Sequence, residues 1–314
     1  MKAVVLLNMG GPNNLDEVSL FLKNMFNDEN IITTKSKILR KFIAFMITTL
    51  RTKKAKENYS LLDGKSPITE YTVKLVRKLQ QKCPDIYITF AMKYTPLFSK
   101  QVILDLKDKN IKKVLLIPLY PHFSTTTTKS SLEDFIITAK KLYQDLDIQF
   151  IQRFYKEELY NKAILQQISQ TMKKEKPEKY DLIFSAHSLP QKIIDKGDSY
   201  QKEIIDNVNI LKQMLQSQNI NFNKIHLAYQ SKLGPIKWLG PSLEDKLKSI
   251  ENKNVIIYPL SFIIDNSETE YELDIEYRKI SQDLNFDNYK IVKCLNDNNT
   301  FITFLENLMY NKAS

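Results

Sequence analysis

Eight short apolar runs, separated by longer stretches of helical periodicity, constrain the fold of this chain most strongly. Residues 4–7 and 255–258, for example, are entirely apolar and rich in Val, Ile and Leu. Strands that alternate with helices predict β-α-β units, in which neighbouring strands run parallel. The strands are predicted near residues 3–9, 86–92, 113–119, 148–154, 181–186, 225–231, 254–260 and 289–295.

The eight runs divide into two groups of four along a chain of 314 residues. A chain of this length is too long for one ordinary core and suits two domains. We therefore predict an α/β fold of two similar Rossmann-like domains, over residues 1–154 and 155–314. Each domain would be a four-stranded parallel sheet flanked by helices. Beyond this rhythm the sequence shows no internal repeat.

The composition excludes several classes of protein. Cys83 and Cys294 are the only cysteines, too few for a disulfide scaffold or a cysteine-rich zinc or iron–sulfur site. No apolar run approaches the roughly 20 residues that a membrane span needs. The first apolar segment is too short for a signal peptide and is typical of a strand. These features predict a cytoplasmic protein.

The net charge of +10 is partly concentrated in one segment. Residues 35–56 hold eight Lys or Arg and no acid, around the apolar residues 42–50. This pattern is typical of a basic amphipathic helix. It suits a solvated face, a lip that attracts an anionic substrate, or peripheral contact with the inner face of an anionic membrane. No nucleic-acid motif accompanies the charge, so we predict no nucleic-acid partner.

A histidine and a row of carboxylates follow two of the predicted strands. His187 ends the fifth run, and Glu268, Glu272 and Glu276 follow the seventh. On a helix these glutamates share one face, although like charges at this spacing destabilise a helix by about 0.2–0.5 kcal/mol a pair. We infer that the row recruits a cation. Imidazole and carboxylate ligands suit a divalent metal held loosely rather than a closed zinc site.

The remaining strand ends collect Met, Tyr, Phe and the only Trp. Ligands bind beyond the carboxyl ends of the strands in open parallel sheets. The mixture predicts a large flat aromatic ligand with a polar reaction at its centre. Gly10 and Gly11 lack the further residues of a nucleotide-binding loop and predict a tight turn instead. His122 is a second candidate for lining the site, whereas His226 is predicted to be structural.

Further motifs lie at residues 7–12, 58–59, 64–67, 92–94, 119–124, 184–190, 229–231, 234–235, 238–241, 261–269, 271–277 and 294–297. They cover nearly the whole chain in order, and together they are far more specific than any one alone. These motifs resemble those of the ferrochelatase family, whose members insert ferrous iron into a porphyrin in haem biosynthesis.

The resemblance implies two α/β domains with a porphyrin cleft between them. It implies a lyase that converts protoporphyrin IX and ferrous iron to protohaem, with release of two protons. His187 and Glu268 would be catalytic and contact the metal, facing each other across a gap wide enough for a tetrapyrrole. Asp265, Glu272 and Glu276 would line a route for protons or metal.

Further residues match family positions near the porphyrin or its carboxylates. Iron would be a substrate, with no tightly bound cofactor and no iron–sulfur cluster, and the oligomeric state is left open. Arg51 and Lys53 are candidates for the propionates. The porphyrin-binding candidates are Met9, Tyr59, Lys93, Tyr94, Tyr120, Ser124, Ser130, Trp238 and Phe262.

Two departures from the family pattern leave alternatives open. Asn266 stands where histidine is common, and its amide cannot shuttle a proton in the ordinary pH range. Lys93 stands where arginine is usual, so bidentate grip of a carboxylate is lost. A non-catalytic porphyrin or haem carrier on the same fold is one alternative. A chelatase that uses coproporphyrin III or another divalent metal is the other.

Overall fold

The computed structural model describes residues 2–313, which form two compact units. One unit contains the residues up to Tyr120, Ser124–Gln152 and the residues from Ile302 onwards; the other contains Pro121–Phe123 and Arg153–Phe301. The predicted division after residue 154 therefore lies close to the observed change between the units at Gln152 and Arg153. It is wrong for the carboxyl-terminal residues, which belong with the first unit.

The first unit is a parallel sheet with the strand order β2-β1-β3-β4. Its strands are β1 (Lys2–Asn8), β2 (Ile86–Met92), β3 (Lys113–Pro118) and β4 (Asp147–Phe150). A π-helix, Thr125–Lys129, directly precedes the α-helix that begins at Ser130. The helices are α1 (Glu17–Phe26), α2 (Lys37–Ser60), α3 (Ile68–Lys82), α4 (Ser99–Asp108) and α5 (Ser130–Leu142).

The second unit repeats this plan, with the strand order β6-β5-β7-β8. Its strands are β5 (Asp181–His187), β6 (Lys224–Gln230), β7 (Asn254–Pro259) and β8 (Asn288–Ile291). A short 3₁₀ helix, Pro177–Lys179, precedes β5, and a π-helix, Glu268–Glu276, follows β7. The α-helices that follow in the chain are α6 (Glu158–Met172), α7 (Gln191–Asp195), α8 (Tyr200–Ser217), α9 (Leu243–Ser249), α10 (Tyr277–Asp283) and α11 (Asn299–Ala313).

The predicted fold class of two four-stranded parallel sheets is confirmed. The central strands are apolar over most of their length because helices cover both faces of each sheet. In β1, residues 3–7 are at most 2% exposed, and in β5 residues 182–186 are all buried. This burial explains why the strands appear in the sequence as continuous apolar runs rather than as alternating ones.

The edge strands β4 and β8 end several residues earlier than predicted, because each lies beside a strand that ends in proline. The backbone N–H of Ile151 donates to Leu116 in β3, and that of Val292 donates to Ile257 in β7. The next ladder bond in each case needs an N–H from Pro118 or Pro259, which proline lacks. Each edge strand therefore stops pairing at this point.

The two sheets share one register, although the sequence shows no repeat. Leu7 pairs with Pro118 in the first sheet, and Ser185 pairs with Pro259 in the second. The residue after each proline donates its N–H back to the paired residue, at 2.8 Å in both sheets. Counting two residues onwards from Leu7 and Ser185, Met9 occupies in the first unit the position that His187 occupies in the second.

The carboxyl-terminal residues are tied to the first unit by polar contacts on α11. Lys82 Nζ lies 3.4 Å from Glu306 Oε2. The hydroxyl of Tyr310 donates to Asp85 Oδ1 at 2.7 Å. These side chains are separated by more than 220 residues along the chain, which explains why the sequence alone did not assign α11 to this unit.

Candidate active site

His187 is held at the carboxyl end of β5 by its backbone. Its N–H donates to Ser261 Oγ at 2.8 Å, and its carbonyl accepts from the Tyr200 hydroxyl at 2.9 Å. The ring of Phe262 approaches the imidazole edge-on, with ring centroids 6.4 Å apart. The side chain is 35% exposed. The imidazole is thus fixed in position but remains open on one side.

Glu268 contacts His187 directly. Glu268 Oε2 lies 2.7 Å from His187 Nδ1. The expected gap between these two groups is therefore wrong: they form a hydrogen-bonded pair within one unit. When Nδ1 of the neutral imidazole carries the hydrogen of this bond, Nε2 is the ring nitrogen with an available lone pair. Nε2 makes no hydrogen bond to the residues described.

Ser231 joins the first two glutamates of the acidic row. It follows β6 with φ of +65°, a left-handed conformation that is uncommon for residues other than glycine. Its N–H donates to Glu272 Oε1 at 2.8 Å, and its hydroxyl lies 2.7 Å from Glu268 Oε2 and in contact with Glu272 Oε2. His187, Glu268, Ser231 and Glu272 therefore form one continuous hydrogen-bonded chain.

The charges of the ionisable groups in this hydrogen-bonded chain depend strongly on one another. Burial alone would lower the pKa of His187, but the charge and hydrogen bond of Glu268 outweigh it and raise that pKa above its ordinary value. Burial opposes ionisation of Glu268, yet the His187 imidazolium lowers the pKa of this carboxyl. Burial and the neighbouring charge of Glu268 raise the pKa of Glu272 to about 7. Glu272 can therefore take up or release a proton near neutral pH.

The π-helix Glu268–Glu276 positions the acidic row. Such wide helical turns are frequently found at functional sites. Glu268 and Glu272 point to Ser231, whereas Glu276 lies at the exposed end of the helix. The structure thus brings together two of the three glutamates with His187, and places the third at the surface.

Asp265 and Asn266 support the start of this π-helix. Asp265 is 1% exposed and accepts hydrogen bonds from Thr269, Asn296 and the backbone of Cys294. The Asn266 side chain accepts from the Glu268 N–H at 2.8 Å and donates to the Ile264 carbonyl. The amide at the position where histidine is common therefore binds the backbone at the start of the π-helix. Asp265 was predicted as part of an acidic relay, but its described contacts are with neutral donors.

Lys93 lies in a buried polar cluster of the first unit. Its Nζ is 2.6 Å from Asp28 Oδ2 and also contacts Ser130. The Tyr94 hydroxyl donates to the same Asp28 oxygen at 2.6 Å. Burial disfavours the charge of Asp28, but Lys93 and the hydroxyls hold the pKa of this carboxyl below its ordinary value. The charge of Lys93 is thus already paired.

The other predicted porphyrin contacts differ in exposure. Met9, Trp238 and Phe262 are half-buried, whereas Tyr59, Tyr120 and Ser124 are buried. Arg51 and Lys53 are exposed on α2. Half-buried apolar side chains and exposed cations remain accessible to a ligand. The buried side chains lack this access.

The other two histidines have structural partners. His122 is 2% exposed, with Nε2 3.0 Å from Asn207 Oδ1, and burial lowers its pKa to about 3. It is therefore a neutral core residue rather than a lining residue. His226 Nε2 lies 2.7 Å from Asp181 Oδ2, in agreement with its predicted structural role.

Ser231, Ser261 and Tyr200 are site residues that the sequence did not single out, and neither was Asp28. The only signal for Ser231 was its place at the end of the motif formed by residues 229–231. Its role depends on a left-handed backbone and on partners about 40 residues away, which no local pattern indicates. Among residues 2–313 there is no group of three or more His, Cys, Asp or Glu side chains able to hold a metal ion together.

Comparison with known proteins places this geometry in context. The family model described as Ferrochelatase matches residues 1–313. A ferrochelatase of Nitratiruptor sp. is 52% identical over 97% of this chain and 98% of its own length. One from Helicobacter pylori is 44% identical over 100% of this chain and 94% of its own length. The solved structure of SirB from Bacillus subtilis with Fe³⁺ has a TM-score of 0.59 at 9% identity, covering 99% of this chain and 97% of that one.

Proposed function

This chain belongs to the ferrochelatase family of lyases, and we propose that it inserts ferrous iron into protoporphyrin IX to give protohaem and two protons. Metal insertion into a porphyrin follows from the family. The identity of the porphyrin and of the metal is our proposal. The observation that carries the catalytic assignment is the His187–Glu268 pair, with a distance of 2.7 Å between Nδ1 and Oε2.

In the proposed reaction, His187 Nε2 takes the porphyrin N–H protons. Glu268 holds the other ring nitrogen and stabilises the imidazolium that forms, which makes the imidazole a stronger base. The incoming ferrous ion contacts the same two side chains, since imidazole and carboxylate are suitable ligands for it. Iron is a substrate here, and the reaction needs no tightly bound cofactor or iron–sulfur cluster.

Protons leave the site through the hydrogen-bonded chain in this proposal. The His187 imidazolium gives its Nδ1 proton to Glu268, and Glu268 passes a proton by way of the Ser231 hydroxyl to Glu272, with one hydrogen bond for each transfer. Glu272 is suited to the last step because its pKa of about 7 lets it accept and release protons near neutral pH. Glu276, exposed at the end of the π-helix, would pass them to solvent.

Porphyrin binding must supply energy to bend the ring, because a flat macrocycle does not let a hydrated ion enter in plane. Half-buried Met9, Trp238 and Phe262 would contact its apolar faces. Arg51 and Lys53 would bind the propionates, because Lys93 is already paired with Asp28. Binding energy of this kind, used to offset distortion, lowers the barrier to the chemical step.

An anaerobic insertion assay tests the proposal. Purified protein is mixed with ferrous iron and protoporphyrin IX, and haem formation is followed by absorbance. We expect turnover by the wild type. His187→Ala should abolish insertion while porphyrin still binds, measured by quenching of porphyrin fluorescence. His226→Gln, which keeps a donor to Asp181, is the matched control and should turn over normally.

The same assay separates the alternatives. A non-catalytic carrier would bind porphyrin and form no haem. Coproporphyrin III, or zinc or cobalt in place of iron, would be used faster than the proposed pair if the substrate assignment is wrong. Near-normal insertion by His187→Ala would contradict the catalytic assignment itself.

We also propose peripheral contact with an anionic membrane at the cytoplasmic face, through residues 35–56. No α-helix of the described residues is long and apolar enough to cross a bilayer. Helix α2 nevertheless exposes large apolar side chains, among them Ile38 (84%), Phe42 (61%) and Leu50 (74%). An amphipathic helix with basic flanks binds anionic bilayer surfaces by inserting such side chains. Salt-sensitive binding to anionic vesicles would support this contact, and its absence at low salt would contradict it.

A further inference from the structure

A basic cavity lies between α1 and α2 in the first unit. Its volume is about 640 Å³. Four of its ten lining residues are cations, namely Lys23, Lys37, Arg40 and Lys41, and none is acidic. Most of the remaining lining residues carry a hydroxyl or an amide group. A cavity with this lining has a strongly positive potential and many hydrogen-bond donors, so it favours an anion.

The cations of this cavity lack strong partners in the protein. The Arg40 side chain is only 12% exposed, yet its two described contacts are long: 3.4 Å to the Thr34 carbonyl and 3.5 Å to the exposed Glu29 carboxylate. A guanidinium has five N–H donors, and a largely buried one is costly unless it is well paired. Within residues 2–313, Lys23, Lys37 and Lys41 form no ion pair.

A hydroxyl in the lining adds to this deficit. Thr48 is 7% exposed, and its Oγ1 has no hydrogen-bond partner among the described residues. An anion with several oxygens would accept bonds from this hydroxyl, the guanidinium and the ammonium groups at once. A phosphate diester fits, because arginine and lysine both bind phosphate oxygens strongly.

The surroundings of the cavity indicate that this phosphate carries apolar chains. Phe45 lines the cavity and is 64% exposed, and Ile38 and Phe42 are exposed on the same helix. Exposed aromatic and aliphatic side chains beside a basic pocket match the chemistry of a bilayer surface, where acyl chains lie beside charged head groups.

We propose that the cavity between α1 and α2 binds the phosphate head group of an anionic phospholipid, while the exposed apolar side chains of α2 enter the bilayer. The pocket makes the membrane contact specific rather than a diffuse attraction between charges. This proposal depends on the membrane contact proposed above and is independent of metal insertion.

Two double variants on α2 test the pocket, since each removes two positive charges from the same helix. Arg40→Gln/Lys41→Gln changes the cavity, and Lys54→Gln/Lys56→Gln changes two lysines outside its lining. Binding is measured by co-sedimentation with phosphatidylcholine vesicles that contain phosphatidylglycerol, at fixed ionic strength. We expect the cavity variant to bind about tenfold more weakly than the control variant, because it loses charge-assisted hydrogen bonds as well as charge.

Equal losses in the two variants would overturn the proposal in favour of diffuse electrostatics. Inorganic phosphate, added against chloride of the same ionic strength, should release the wild type from the vesicles; failure to do so would contradict a phosphate site. Release by free porphyrin but not by phosphate would assign the cavity to tetrapyrrole carboxylates and would also overturn it.

Two further measurements keep the test independent of folding and of catalysis. If Arg40→Gln lowers the melting temperature, Lys37→Gln/Lys41→Gln replaces it, because both lysines are exposed. Iron insertion with detergent-dispersed porphyrin should be normal in the cavity variants. Loss of vesicle binding with normal insertion in the cavity variants supports the pocket. If the wild type itself inserts no iron, that result contradicts the proposed function and leaves the pocket untouched.

Discussion

Replacement of Glu268 by Gln tests the electrostatic basis of the proposed base. The carboxylate raises the proton affinity of His187 through one charge-assisted hydrogen bond of 2.7 Å. Such bonds contribute about 1.5–3 kcal/mol, and we take the lower end because the imidazole is one-third exposed and water screens the pair. About 1.4 kcal/mol corresponds to a factor of ten in proton affinity. We therefore expect Glu268→Gln to weaken proton binding at His187 about tenfold.

The direction of the change follows from the two opposing effects on the imidazole. Without the carboxylate, burial lowers the pKa of His187 and only the charge of Glu272 still opposes it, so His187 should titrate at lower pH than in the wild type. The proposed base must be unprotonated, so turnover should rise with pH, and the variant's rise should lie at lower pH with a smaller kcat.

Proton NMR gives a direct assay, because the chain has only three histidines. His122 is expected to stay neutral, since its pKa is about 3. Asp181→Asn is the matched control, because it removes the carboxylate partner of His226 and should leave His187 unchanged. An unmoved His187 titration in Glu268→Gln, or an equal shift caused by Asp181→Asn, would refute the reasoning.

Three other predictions concern single side chains. Ser231→Ala removes the hydroxyl that lowers the pKa of Glu272, so this pKa should rise and insertion should slow, while porphyrin binding stays unchanged; an unaltered rate would exclude the relay. Asp28→Asn leaves Lys93 largely buried without its counter-charge, so it should lower the free energy of unfolding in urea by about 3–5 kcal/mol. The double variant Asp28→Asn/Lys93→Met should regain much of this loss. A loss below about 1 kcal/mol in Asp28→Asn would contradict the pairing. Asp265→Ala should lower the free energy of unfolding by about 3 kcal/mol or more, because three buried donors lose their acceptor, and a stable but inactive variant would instead favour a direct relay role.

The pH dependence of stability has a definite window. The raised pKa of His187 means that its pairing with Glu268 stabilises the fold fully below the ordinary histidine range and is lost as pH rises through the folded pKa. The lowered pKa of Glu268 means that the same pair is lost as pH falls through that carboxyl's folded value. We therefore expect Glu268→Gln to destabilise the protein most in mildly acidic solution and least at alkaline pH, measured by urea unfolding.

The fold was predictable because its strands are specified locally. A continuous apolar run between helical segments indicates a buried parallel strand whatever its partner is. The ends of β4 and β8 were not predictable in this way. They depend on Pro118 and Pro259 in neighbouring strands, and the register that brings each proline to the ladder's end is set by the whole sheet.

The site was predictable in composition and only partly in geometry. His187 and Glu268 follow strand ends, which is a local signal. Their direct contact depends on where the π-helix begins, and the Asn266 side chain accepts the N–H of its first residue, Glu268. The Asp28–Lys93 pair joins residues 65 positions apart, so no local pattern indicates that the charge of this lysine is already neutralised.

The shared register of the two sheets bears on the history and engineering of the protein. The same backbone location carries a thioether in one half, at Met9, and an imidazole in the other, at His187. Under the proposed function, this one backbone position would serve an apolar contact with the porphyrin in the first unit and acid–base chemistry in the second. The double variant Met9→His/His187→Met would test whether a histidine at the equivalent position of the first unit is sufficient for activity.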